Sequence, residues 1–129
     1  MTRNDKRDKG RAVMNEVLGK DYMAKRDAGT NDFNKHIRQF SEENAFGDIW
    51  SRPGLPRKVR SMLCMAMLTA LGKPAELRIH VNSALNNGCT ADEIQEVLYQ
   101  TVAYCGLPAT IEAYKVAEEV LRERGLLKG

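Results

Sequence analysis

The stretch Gly72–Pro108, GKPAELRIHVNSALNNGCTADEIQEVLYQTVAYCGLP, decides the fold. Within it Leu77, Val81, Ala84 and Leu85 recur at the three- and four-residue spacing of one helix face, bounded by Pro74 before and Asn87-Gly88 after. Thr90-Ala91-Asp92-Glu93 has the form of a capping box and fixes the start of the next helix. That helix turns Ile94, Val97, Leu98, Thr101, Val102 and Cys105 to the core and carries Tyr104 at the fringe near Val97. Gly106 with Pro108 ends it sharply. Glu76, His80, Ser83 and Asn87 follow one another on the first helix at spacings of four, three and four, so they align at the polar margin of the buried stripe. Glu76 can therefore orient the imidazole of His80.

Working outward, almost every segment reads as helix, because apolar residues recur at helical spacing and β-branched alternation is scarce. A first helix is expected from about Asp5 to Leu18, stopped at Gly19, with a short helical segment over Tyr22–Ala28. Asn31 or Asp32 caps a third helix that sets Phe33, Ile37 and Phe40 on one face and Lys35, Arg38 and Glu42 on the other. Phe46–Leu55, with two glycines and a proline, reads as an ordered loop whose Ile49 and Trp50 require burial. The fourth helix, roughly Pro56–Leu71, is apolar around its whole circumference after the first turn. A small domain has little surface with which to cover such a helix, which argues for an oligomer over a central core helix in a monomer. A last helix from about Pro108 to Arg124 buries Ile111, Tyr114, Ala117 and Leu121. The fold class is all-α: a helical bundle with a central antiparallel helix pair, formed by a single domain over residues 1–129.

Composition narrows the function. The 129 residues are 43% hydrophobic and 29% charged, enough for a core, and a net charge of +3 spread over 20 basic and 17 acidic residues gives little support for nucleic acid or membrane binding. It is compatible with an anionic small molecule. Cys64, Cys89 and Cys105 form no C-x-x-C, so neither a disulfide framework nor a zinc site is indicated, and a reducing cytoplasm is the expected location. The segment MTRNDKRDKGR lacks the apolar stretch of a signal peptide, and Arg3, Lys6, Arg7, Lys9 and Arg11, interrupted by Asp5 and Asp8, read as a solvated helix face.

The ordered set Trp-x-Arg-Pro-Gly-Leu in IWSRPGLPRKVRSMLCMAMLTALG, Leu-x-x-His and Asn-Asn-Gly in ELRIHVNSALNNGCTADEIQEVL, and Tyr-x-Gly-x-Pro in AYCGLPA, followed by AYKVAEEV, resembles the carboxymuconolactone decarboxylase family of the alkylhydroperoxidase-like superfamily. The resemblance runs from about Gly10 to Leu121. It implies an alkylhydroperoxidase-like helical fold assembled as rings, commonly trimers or hexamers, and cofactor-free decarboxylation in aromatic catabolism: gamma-carboxymuconolactone to beta-ketoadipate enol-lactone, with no cofactor and no metal. The superfamily also contains thiol peroxidases with a C-x-x-C four residues before a histidine. Here those places are held by Lys73 and Glu76, and the position of the assisting glutamate falls near Ser61, so the resemblance points away from peroxidase activity. A non-catalytic ligand-binding ring protein is the third alternative.

Such a substrate holds its own electron sink, so the protein must bind its second carboxylate, stabilise the developing dienolate oxygen and return a proton to carbon. His80 is the expected proton donor, against a structural histidine; Glu76 orients it or is a solvated face residue. Arg52 and Arg60 are candidates to bind carboxylate, though arginines at helix starts also meet acidic partners. Trp50 walls a pocket or anchors its loop, and Tyr104 donates to the dienolate oxygen or packs. His36 and Arg78 read as surface and structural residues.

Overall fold

The computed structural model describes residues 2–128, and all regular structure among them is helical. The chain divides by packing into two compact units, Met1–Pro56 and Arg57–Gly129.

In the first unit α1 (Arg3–Leu18) begins at a capping box, Thr2 accepting from the Asp5 amide while the Asp5 carboxylate accepts from the Thr2 amide, and α2 (Lys20–Ala28) follows Gly19 directly. The short α3 (Lys35–Phe40) runs without a break into a π-helix, Ser41–Ile49, whose wide winding shows in the Trp50 amide bonding the Ala45 carbonyl five residues back. The expected loop at Phe46 is therefore helical as far as Ile49. The reason lies in Gly47, which serves close approach: a β-carbon there would sit 2.4 Å from the Lys6 carbonyl oxygen, and one on Gly10 1.7 Å from that of Glu42. Only past Trp50 do Pro53 and Gly54 turn the chain.

The apolar face expected to be buried at Phe33, Ile37 and Phe40 is exposed, Phe33 at 97%. Asn31 bends the chain there by accepting from the amides of Phe33 and Asn34, which holds back the start of α3 to Lys35. Ile49 is likewise exposed, whereas Trp50 is buried against Phe46, ring centroids 5.7 Å apart and planes 9° from parallel.

The polar centre of this unit is Glu42, only 3% exposed. Its carboxylate accepts from Arg7 at 2.8 Å, Arg11 at 3.0 Å and Arg26 at 2.6 Å. Arg11 also reaches Asp27 at 2.6 Å, and Arg38 bonds the Arg26 carbonyl. The basic face expected to be solvated is thus partly internal, because Arg7 and Arg11 neutralise a buried acid. Burial alone would raise the Glu42 pKa, but the bonds from Arg26 and Arg7 and the charges of Arg26 and Arg11 outweigh it and hold the group below its ordinary 4.5.

The second unit packs four helices: α4 (Arg57–Leu71), α5 (Pro74–Asn86), α6 (Ala91–Cys105) and α7 (Leu107–Glu123). Gly72, at φ +67°, and Lys73 are the whole connection between α4 and α5, so these form an antiparallel hairpin. The Thr90 capping box is present. Met65, Leu77, Val81, Ala84, Ile94, Leu98, Ala113, Ala117 and Val120 fill the core. The phase of α7 differs from expectation: Thr110, Ala113, Ala117 and Val120 face inward, Ile111 is exposed, and Tyr114 and Leu121 are half-buried. Thr110 takes an inward place because its hydroxyl pairs with that of Thr101 at 2.8 Å. On α4 the apolar girdle is only partly covered, leaving Leu63, Met67 and Leu71 exposed.

Replacing Glu42 by Gln removes the carboxylate shared by Arg7, Arg11 and the largely buried Arg26, while Arg11 keeps Asp27, and should destabilise the protein by about 1–3 kcal/mol in urea unfolding; an unchanged midpoint would show that the network contributes nothing. Since the folded pKa of Glu42 lies below its unfolded value, its contribution is complete above about pH 4.5 and is lost as pH falls through the folded value.

Candidate active site

His80 lies on α5, one residue before the fully buried Val81 and three after Leu77, so its ring leaves the helix beside the core stripe and is half-buried. Burial lowers its pKa from the ordinary 6.5, and the Glu76 charge one turn earlier opposes that shift. Glu76 is itself exposed and acts on the imidazole by charge.

The rest of the row behaves differently from a polar margin. Ser83 is fully buried and donates to the His80 carbonyl at 3.4 Å, and the Asn87 amide N–H bonds the Ser83 carbonyl at 2.9 Å. Asn87 Nδ2 then donates to Ser61 Oγ on α4 at 2.9 Å, and Ser61 is fully buried on the same stripe as Met65 and Thr69. The Ser61–Asn87 link escapes a sequence reading because a serine inside an apolar helix shows no partner until the hairpin closes; its four-residue spacing from Met65 is the signal that marks it as inward.

Arg60, next to Ser61 on α4, is half-buried, and its charge tends to lower the Cys64 pKa while burial of that thiol, the larger effect, raises it. Tyr104 is 85% exposed near the end of α6. Trp50 and Arg52 belong to the first unit, Trp50 stacked on Phe46 and Arg52 exposed. Arg78, about 200° around α5 from His80, bonds Glu119 at 3.2 Å and Glu123 at 2.5 Å on α7, the structural role expected of it. His36 is exposed. A groove of about 310 Å³ beside α6 and α7, walled by Ile94, Leu98, Tyr114, Leu121 and Leu126, holds none of the six candidate residues.

The three cysteines are free thiols, and among the described residues no group of histidine, cysteine and acidic side chains is arranged to hold a metal ion. No helix among them is long and apolar enough to cross a membrane.

Fold and site together define a helical protein that presents a half-buried imidazole from a four-helix unit. The chain belongs to the carboxymuconolactone decarboxylase family, whose model matches residues 37–119, and so has the alkylhydroperoxidase-like helical fold. It is 43% identical to a 4-carboxymuconolactone decarboxylase of Acinetobacter baylyi over 117 residues, 91% of this chain and 87% of that protein. It is 34% identical to a nitrosuccinic acid decarboxylase of Metarhizium robertsii over 116 residues, 90% of this chain and 81% of the relative. Both relatives are decarboxylases by name, which supports a decarboxylase here.

With its charged form penalised by burial, His80 should titrate by NMR below 6.5, and acidification below that value should cost stability because the buried ring must take up charge; a midpoint at or above 6.5 would show the ring to be solvated.

Proposed function

We propose that this protein is a cofactor-independent carboxy-lyase that converts gamma-carboxymuconolactone to beta-ketoadipate enol-lactone and carbon dioxide in aromatic, protocatechuate catabolism. The observation that carries the reading is the half-buried imidazole of His80 on α5, whose charged form burial disfavours, inside the segment that the decarboxylase-family model matches and with a half-buried arginine, Arg60, on the neighbouring α4. The Acinetobacter baylyi relative supports the lactone as substrate.

The chemistry needs few groups. As the ring carboxylate leaves as carbon dioxide, its bonding pair passes through the ring double bond onto the lactone carbonyl and forms a dienolate. One proton delivered to carbon then completes the exchange of a carboxylate for hydrogen. Burial disfavours the charged imidazole; a bound dianion beside it raises its proton affinity, so the ring takes up a proton as substrate binds and gives it to carbon once neutral carbon dioxide has left and the dienolate holds the remaining charge. Glu76 supports the protonated ring by its charge. Arg60 and Arg52 are the proposed holders of the substrate's second carboxylate, since a guanidinium meets a carboxylate with two parallel bonds. Tyr104 is the proposed donor to the dienolate oxygen, and Trp50 the proposed apolar wall. The protein works as a homo-oligomeric ring, trimer or hexamer, in the cytoplasm, and the exposed Leu63, Met67 and Leu71 of α4 favour the assembly.

The purified protein should consume the lactone, followed by loss of substrate and release of carbon dioxide. His80→Asn should lower kcat by about 10²–10⁴-fold while the helical circular dichroism is retained. Intact turnover in that variant removes the proton-donor assignment, and no turnover by the unmodified protein removes the reading itself.

A further inference from the structure

We infer that Ser61 and Asn87 form a positioning pair that fixes the register of α4 against α5, and with it the spacing of Arg60 and His80 along the hairpin; the inference rests on the decarboxylase reading. A continuous series of hydrogen bonds descends α5 from the candidate proton donor. The His80 carbonyl accepts from the Ser83 hydroxyl, the Ser83 carbonyl accepts from the Asn87 N–H, and the Asn87 side-chain amide donates to Ser61 Oγ on the facing helix. Two of these groups, the side chains of Ser61 and Ser83, are fully buried in a largely apolar core. A buried polar group costs free energy unless it is bonded, so the Ser61–Asn87 bond has one preferred register.

That register matters for the site. Arg60 is the residue before Ser61, and His80 lies seven residues before Asn87, about 10 Å along α5. The two arms of an antiparallel hairpin carry the two groups, so sliding one arm by a single residue changes their spacing by about 1.5 Å. Near-attack geometry tolerates less than that. The Gly72–Lys73 turn holds the other end of the hairpin, its two amides bonded to the Thr69 and Leu68 carbonyls at 3.2 and 3.0 Å. Asn87, the residue that caps α5, supplies the bond at the open end.

The test uses Ser61→Ala, Asn87→Ala, the double variant, and Ser61→Thr, which keeps the hydroxyl. Each single variant should lower kcat for gamma-carboxymuconolactone by about tenfold, with KM changed less than about threefold. The double variant should lose little more than either alone, and Ser61→Thr should recover part of kcat. A second readout is independent of turnover: the chain has two histidines, so the ring resonances of His80 should move in both alanine variants while those of His36, in the other unit, stay in place. Should Ser61→Ala not fold, Asn87→Ala at the half-buried helix end carries both measurements. Unmoved His80 resonances in a folded alanine variant, or unchanged kcat with an active parent, would overturn the pair's role. Failure of the unmodified protein to turn over the lactone would instead defeat the substrate assignment, with the resonances still deciding whether the pair positions the ring.

Discussion

The rotation of α5 about its own axis is the constraint on which the rest depends. Leu77, Val81 and Ala84 are all but fully enclosed, and a helix with three such anchors has one orientation in which they reach the core. His80 is then placed by arithmetic, since residues on a helix are separated by about 100°. It leaves beside the stripe, neither inside the packing nor in open water. The intermediate position is what makes an imidazole useful: enough burial to weaken its hold on a proton, with Glu76 near enough to soften that effect.

The two units solve the burial of polar groups by different means. The first places a full ionic network inside, with three guanidinium groups closing on Glu42 and a backbone crossing so tight that Gly10 and Gly47 have no room for a β-carbon. The second uses neutral pairs, Ser61 with Asn87 and Thr101 with Thr110, each joining two helices of the apolar bundle. Neutral pairs leave no charge stranded if the helices move slightly, whereas the ionic network fixes its helices strongly and fails abruptly when one member is removed.

Much of the second unit was legible in the sequence, because its determinants are local. The Pro74 start, the Thr90–Glu93 capping box, the Gly106 stop and the Leu77–Val81–Ala84 stripe are each defined within a few residues, and the structure has them all. The family resemblance carried by those segments is the family the chain belongs to. The first unit was less legible since its order comes from contacts over some thirty residues: nothing near Glu42 in the chain indicates that Arg7 and Arg11 enclose it, and Gly47 reads as a turn until α1 is seen against it. On α7 the apolar pattern admits two phases, and the hydroxyl pair of Thr101 and Thr110 tips the helix toward the one that exposes Ile111. Of the candidate site, His80 and Arg60 share the α4–α5 hairpin by local logic, while the link through Ser61 required the fold to be closed.

The seam between α5 and α7 has a further consequence. Arg78 grips Glu119 and Glu123, and Arg124 reaches Asn82 and Asn86, so the flank of α5 turned away from His80 is held largely by exposed charge, whereas the flank toward α4 is held by an uncharged amide and hydroxyl. Dissolved electrolyte weakens the former and leaves the latter nearly untouched. The helix that carries the imidazole is thereby fastened on one side by a bond that responds to the ionic strength of its surroundings and on the other by one that ignores it.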